Sequence, residues 1–535
     1  MSTMDYIPHE RKLFMNPICR IPDYQFVSFD GETNDTALRY EVMDGGVKVF
    51  LTATAAHPRI VTLRWKNPIT RPVKVLGDAW ERGYGTFGWN SLCAEKWMPW
   101  YCVLCEEHLE GEPTTVTGYG VMTRPNAMAS WSCDTEGITL CLDVRCGGVG
   151  VELDGRELEV CTVVSNRYEN THSFPAVKAF CKVMSPDPLL SDKPVYGGNN
   201  WYYAYGESSY EEIVSDCSLQ AKLAEGLENR PFMVIDDGWQ PNSCAGPWVA
   251  NEKYGDMKKT ADAFKAMDVR PGIWVRFLRD ERPEIPAEWR LNKRGYAQDD
   301  PRFLKKGYLD PSHPEVAKFI ADDIKKIVNE WGYQLIKHDF SMVDMFGNWG
   351  KDCGRLITED GWSFYNKKKT SAEITKDFYQ NILDATDGKC LILGCNCIGH
   401  LLAGLAHLNR TGDDTSGTDW RRTRQMGVNT LAFRMCQHNI FFAADADCVG
   451  FIPGMIDWRL NRQWATLAAR SATPLFISCA ADTLTDDQIE VMKELYAYAS
   501  KQADELIPLD WEYTTAPRKY LLNGEVIEFN WFDVE

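Results

Sequence analysis

The sequence lacks the features of a nucleic-acid binder. Acidic residues outnumber basic ones by 76 to 58, the formal charge is −18, and the longest basic run is Lys367, Lys368 and Lys369. Such a field repels a polyphosphate rather than gathering it. There is little at the start to read as a secretory leader, because Asp5, His9, Glu10, Arg11 and Lys12 interrupt the first residues, so a cytoplasmic location is expected. One stretch of membrane length, Cys390 to Leu408, is free of formal charge, yet Gly394, Gly399 and Gly404 break it and Asn396, His400 and His407 interrupt it. A buried strand, a loop and a short helix explain it better than a span, and no membrane partner is expected. Low-complexity tracts and internal repeats are missing too. Cys102, Cys105 and His108 have zinc-like spacing, but no second ligand pair follows, so no metal is expected. The 18 cysteines read as reduced core filler.

What is present is a chain of 535 residues, 44% hydrophobic and 12% aromatic, long enough for a large barrel plus an accessory module. From Tyr40 to about Lys182 the pattern has period two, as half-buried antiparallel strands do. Asp154-Gly155 marks a hairpin turn between residues 150–153 and 158–160. A Pro-rich join, Met184-Ser185-Pro186-Asp187-Pro188, ends this half. Beyond Pro194, short apolar runs closing near Asn199, Asp236, Val275, Asp339, Gly394, Arg410, Asp445 and Ser478 alternate with amphipathic stretches such as 210–225, 314–331 and 372–386. That rhythm fits an α/β fold, a (β/α)8 TIM barrel, with a doubly wound sheet as the structural rival. The expected domains are an N-terminal antiparallel β-sandwich over 1–188, a catalytic barrel over 189–485, and a helix with a small C-terminal β extension over 486–535.

A barrel of this kind builds its active site at the C-terminal ends of the strands. Acids collect there: Asp236 and Asp237 beside Trp239, Asp339 after Lys337 and His338, Asp413 and Asp414 after Arg410, and Asp445 and Asp447. Carboxylates accept hydrogen bonds from sugar hydroxyls, and Trp or Tyr faces cover the apolar side of a pyranose. Any one of these acids could equally cap a following helix. Glycosidic cleavage needs one carboxylate to attack or to activate water and one carboxylic acid to protonate the leaving oxygen. Asp339 suits the first role, since Lys337, two positions earlier on the strand, would hold it ionised. Asp413 suits the second, because the neighbouring acids Asp414, Asp236 and Asp237 disfavour another negative charge; spacing alone does not separate Asp413 from Asp414.

At these residues the chain resembles the glycoside hydrolase clan of the α-galactosidases and α-N-acetylgalactosaminidases, families 27 and 36. The likeness runs from about Tyr196 to Leu484. Gly197-Gly198-Asn199-Asn200-Trp201-Tyr202 is similar to the family's opening strand, Asp236-Asp237-Gly238-Trp239 to its hydroxyl-gripping pair, and Lys337-His338-Asp339 to its Lys-x-Asp nucleophile segment. Thr411-Gly412-Asp413-Asp414-Thr415 is similar to the acid/base segment, and that alignment selects Asp413; Asp445-Ala446-Asp447 and residues 471–478 complete the series. The resemblance implies a retaining glycoside hydrolase that removes terminal α-linked galactose or a related sugar through a glycosyl-Asp339 intermediate, with no cofactor. It implies an oligosaccharide or glycoside substrate, self-association through the N-terminal module, and substrate contacts from Trp201, Asp236, Asp237, Trp239, Trp274, Arg276, Lys337, Cys395, Arg410, Asp414 and Asp447. A transglycosidase and a catalytically silent carbohydrate-binding protein are the alternatives. Departures fall at Gly272-Ile273-Trp274-Val275-Arg276-Phe277 and Gly394-Cys395-Asn396-Cys397-Ile398-Gly399, where Arg276 would either select an anionic or differently substituted sugar or neutralise a neighbouring aspartate.

Overall fold

The computed structural model describes residues 35–291, 307–501 and 506–532, together with the backbone of His9–Arg11 and Tyr24–Ser28. The N-terminal part is two antiparallel sheets. One runs Ala37–Met43, Gly46–Thr52, Leu158–Thr171, Thr114–Val121, Tyr101–Glu106, Val73–Gly77 and Asn90–Ser91; the other runs Tyr24–Ser28, Ile60–Lys66, Gly137–Asp143, Met128–Asp134 and Met98–Pro99. Asp154 and Gly155 both take positive φ, as the turn reading requires, but residues 150–153 form no strand, and Leu158–Thr171 pairs instead with Gly46–Thr52 and Thr114–Val121. The period-two reading also missed a helix, Ser173–Met184, which ends at the Pro-rich join and packs Phe180 and Met184 onto the sheet. Gly118 permits that approach, since a Cβ there would meet Phe180 Cδ1 at 2.5 Å.

The second half is a nine-stranded sheet with every neighbour parallel. Its order is Ala443–Asp445, Leu408–Arg410, Leu391–Gly394, Leu335–His338, Arg270–Val275, Phe232–Ile235, Tyr196–Asn199, Leu475–Ser478 and Cys448–Gly450. The outermost two strands are consecutive in the chain and separated only by Ala446 and Asp447, so the sheet curls until its edges meet at one short segment. Eight of these strands end within a residue of the positions where the apolar runs close; the ninth, Cys448–Gly450, was not expected. Between them lie helices where the amphipathic stretches fall, including Tyr210–Leu223, Pro314–Lys325 and Ser371–Ala385. The first and last of these are N-capped by Ser209 and Thr370, and Pro314 opens the second, where its missing N–H costs nothing.

The uncharged stretch resolves into the strand Leu391–Gly394, the short helix Gly399–Leu402 and the strand Leu408–Arg410. Among the described residues no helix is long and apolar enough to cross a membrane. The helix Gly399–Leu402 docks the two halves: His400 stacks on Trp100 with centroids 4.9 Å apart, and its Nε2 lies 2.8 Å from Val121 O. Burial pushes the His400 imidazole down to about 4, so it stacks as a neutral ring. After the helix Asp486–Ala499, the strands Leu506–Pro508, Lys519–Leu522 and Glu525–Glu528 form a small antiparallel sheet.

Candidate active site

The strand ends bring most of the expected residues to one rim. Asp236, which follows Phe232–Ile235, is joined by Lys337 Nζ at 2.8 Å and by Asn199 Nδ2, which donates at 2.7 Å. Lys337 therefore neutralises Asp236 across the sheet rather than the Asp339 two positions along its own strand. The partners of Asp339 are N–H donors: Trp274 Nε1 donates to Oδ2 at 3.2 Å and the Phe340 amide donates to Oδ1 at 2.7 Å. Phe340 is held at φ 63°, a conformation uncommon for a bulky residue, with its ring beneath the Arg276 guanidinium at 4.0 Å. That backbone turn aims the Phe340 N–H back at the preceding carboxylate and leaves Asp339 half-buried at the strand end.

Asp447, between the two edge strands, accepts from Thr415 N at 2.8 Å and from the Tyr202 hydroxyl, and pairs with Arg410 at 3.0 Å. Arg410 also reaches Asp414 Oδ1 at 3.3 Å and Cys395 Sγ at 3.5 Å. Trp201 is partly exposed and meets Tyr205, itself 53% exposed, at a centroid distance of 5.3 Å. Together these residues supply carboxylates, cations and an accessible aromatic face, the elements a sugar needs.

The neighbours of Asp413 differ from those expected. Two guanidinium groups, not other acids, hold it: Arg82 Nη2 at 2.7 Å from Oδ1 and Arg422 Nη2 at 2.9 Å from Oδ2. Arg82 belongs to a loop of the N-terminal half, which lines up beside residues 411–413 through Gly83 N donating to Thr411 O at 2.7 Å and Asp413 N donating to Gly83 O at 2.9 Å. Glycine at 412 is required by the helical segment 424–434, since a Cβ there would lie 2.1 Å from Met426 O and 2.5 Å from Thr430 Oγ1. Arg82 also lies 3.8 Å from Asp414 Oδ1 and 5.4 Å from the Trp349 ring centroid. Glu81, fully buried beneath it, accepts from Gly350 N at 2.9 Å and from Asn396 Nδ2. Burial raises the Asp414 carboxyl, but Arg410, Arg82, Lys337 and Arg422 outweigh it and hold the group below its ordinary range. Asp445 has less cationic help, and burial pushes it up to about 6.

Three expected sugar contacts turn inward. Trp239 is fully buried, donates from Nε1 to Trp274 O at 2.9 Å, and packs against Trp248 and Trp331 in an aromatic cluster under the rim. Asp237 accepts from Gln240, Ser243 and Cys244, so it folds its own loop. Arg276, 2% exposed, forks onto Asp344, with Nε 2.9 Å from Oδ2. Its neutralising role is the one the geometry serves. Arg82, Arg422 and Tyr205 are the rim residues sequence reasoning missed, and Tyr202, inside the opening motif, was not singled out as a contact. Only the Trp80-Glu81-Arg82-Gly83-Tyr84-Gly85 run, aromatic and glycine-rich around a charge pair, could have flagged the first of them.

No family model matches the chain. Curated relatives described as probable α-galactosidase C, from Aspergillus flavus and Aspergillus oryzae, are each 27% identical over 174 residues, which is 27% of this chain and 21% of their length. Among solved structures, an α-galactosidase from Thermus thermophilus in complex with p-nitrophenyl α-D-galactopyranoside matches with a TM-score of 0.59 at 16% identity, covering 94% of this chain and 98% of that one. The family 36 α-galactosidase AgaA from Geobacillus stearothermophilus, in complex with 1-deoxygalactonojirimycin, matches with a TM-score of 0.64 at 14% identity over 94% of this chain and 75% of that one. Over nearly its whole length, the chain shares the fold of family 36 α-galactosidases, within the clan its strand-end motifs resemble.

Proposed function

We propose that the protein is a retaining glycosidase that removes terminal α-galactosyl-type residues from glycosides or oligosaccharides. The curled parallel sheet is read as a closed (β/α)8 barrel over 189–485, preceded by a β-sandwich over 1–188 and followed by a C-terminal extension over 486–535. The observation that carries the proposal is Asp339: a half-buried carboxylate at a strand end, with both oxygens fixed by N–H donors. In this reading Asp339 attacks the anomeric carbon while a second carboxyl passes its proton to the leaving oxygen. The glycosyl-Asp339 ester then yields to water, which the same second carboxylate deprotonates.

The second carboxyl comes from the Asp413 and Asp414 pair, and the geometry favours Asp414. Asp413 has a guanidinium on each oxygen and an 18% exposed side chain, whereas among the described residues the ion pairs of Asp414 fall on Oδ1 alone and its side chain is 39% exposed. The cations around Asp414 favour its ionised form, which serves the base step in the second half of the reaction and works against the proton-donating step in the first. Asp236 with Lys337, and Asp447 with Arg410, are placed to bind hydroxyl groups. The test is an aryl α-galactoside assay on the full chain with anomer detection: release of the α-anomer first supports the proposal, and release of the β-anomer or no turnover overturns it.

A further inference from the structure

Apart from the residues of the strand-end rim, a thiol, an imidazole and a carboxylate converge where the C-terminal segment meets the N-terminal sheet. Cys105 lies in the strand Tyr101–Glu106, His108 just beyond its end, and Glu512 follows Leu506–Pro508. Cys105 Sγ, His108 Nε2 and a Glu512 carboxylate oxygen all lie within 4.8 Å of one another. Sγ is 3.9 Å and Nε2 3.4 Å from Glu512 Oε2. Tetrahedral zinc with bonds of about 2.3 Å to sulfur and about 2.0 Å to nitrogen and oxygen would set those edges at about 3.5 and 3.3 Å. The three groups are secluded, with Cys105 1% exposed and the His108 and Glu512 side chains 12% and 9% exposed.

The surroundings are arranged as they are around a metal. His108 Nδ1 lies 3.0 Å from Glu106 O, a carbonyl that can only accept, so Nδ1 carries the hydrogen. In the neutral ring Nε2 then turns a lone pair toward Glu512, an arrangement that calls for a positive charge between them. The other Glu512 oxygen accepts from Ser173 Oγ, which in turn accepts from Trp511 Nε1 at 2.8 Å, while Lys74 Nζ donates to the Glu512 carbonyl at 3.0 Å. A cavity of about 170 Å³, lined in part by His108, His172, Ser173 and Glu512, adjoins the cluster and leaves room for a solvent ligand.

We infer that Cys105, His108 and Glu512 form a zinc site that clips the C-terminal segment to the N-terminal β module. A thiolate, a carboxylate and a neutral imidazole are a borderline-soft donor set that suits Zn²⁺ and balances its charge. Binding replaces the Cys105 S–H bond with an S–Zn bond and releases the proton to solvent. The ligand set is not the one suggested by spacing. Cys102 and Cys105 stand three apart on one strand and face opposite ways, so Glu512, distant in the chain, takes the place that Cys102 would have filled.

The purified full chain, stripped with chelator, is titrated with Zn²⁺ and separately with Co²⁺. The expected results are about one zinc per chain, a melting temperature that rises with zinc and falls back with chelator, and a thiolate-to-cobalt charge-transfer band. Cys105→Ser, His108→Gln and the isosteric Glu512→Gln should lose or weaken the site, and Cys102→Ser should keep it. Zinc content and cobalt band unchanged in Cys105→Ser and His108→Gln overturn the assignment. If those variants do not fold, the wild type decides: no zinc-dependent melting shift and no cobalt–thiolate band leave only a protonated His108 paired with Glu512, which also overturns it.

Discussion

Arg82 Nη2 lies 2.7 Å from Asp413 Oδ1, so a loop of the N-terminal β module closes a charge pair on the rim of the parallel sheet. The module is thereby part of the candidate site, and the parallel sheet with its helices alone would present Asp413 with one of its two guanidinium partners missing.

Replacing Arg82 by alanine should accordingly weaken both activity and folding. Asp413 retains Arg422, which limits the stability loss to roughly 1–3 kcal/mol, the cost of leaving a largely buried polar group underpaired. Denaturant midpoints and kcat/KM of Arg82→Ala and Arg82→Lys check this. Wild-type values in both would show that the pair is incidental.

Asp339→Asn should still fold, since its amide oxygen keeps one of the two N–H donors, Trp274 or Phe340, at a half-buried position, yet lose at least about 10³-fold in kcat. External azide with Asp339→Gly should yield a β-glycosyl azide from an α-glycoside. Normal turnover by Asp339→Asn would remove this residue from the mechanism.

Asp414→Asn should slow poor leaving groups by about 10²–10⁴-fold and activated aryl leaving groups far less, because a proton donor matters most where the departing oxygen is basic. Asp413→Asn should show a similar loss for both classes. A reversed pattern would move the proton-donating role to Asp413.

Asp445 makes stability depend on pH with a definite sign. Its carboxyl is raised to about 6 in the folded chain, above the ordinary value of 3.8. The native state therefore keeps a proton that the unfolded chain releases, and the wild type loses stability as pH rises through that window. Asp445→Asn has no proton to lose, so its stability relative to wild type should improve from pH 4 to pH 7, by at most roughly 3 kcal/mol. Parallel unfolding curves at the two pH values check it, and a pH-independent difference would contradict it.

Arg276→Ala should cost about 3–5 kcal/mol by stranding the buried Asp344 while leaving the order of preference among galactoside, arabinopyranoside and acidic-sugar substrates unchanged. A changed order would restore Arg276 as a selectivity residue.

Much of the fold was legible because it is written in local periods. Strand ends fell within a residue of the apolar closures from Asn199 to Ser478, and amphipathic stretches such as 372–386 fell on helices such as Ser371–Ala385. The helix Ser173–Met184 escaped notice because it buries most of its residues, which blurs the polar face by which an amphipathic pattern is recognised. At the site, residue types and strand-end positions singled out Asp236, Asp339, Arg410 and Asp447, but partnerships were misjudged. Lys337 was matched with Asp339 on its own strand, whereas its long side chain crosses the curled sheet to Asp236.

By itself the sequence determined which acids stand at the ends of which strands, since alternation and apolar run length are properties of neighbours along the chain. Only the tertiary structure decided that Arg82 belongs to the rim, that Trp239 and Arg276 turn inward, and that Glu512 meets Cys105 and His108. Those are contacts between segments far apart in the chain, set by how the antiparallel sheets and the curled parallel sheet pack together, and no local period carries that information.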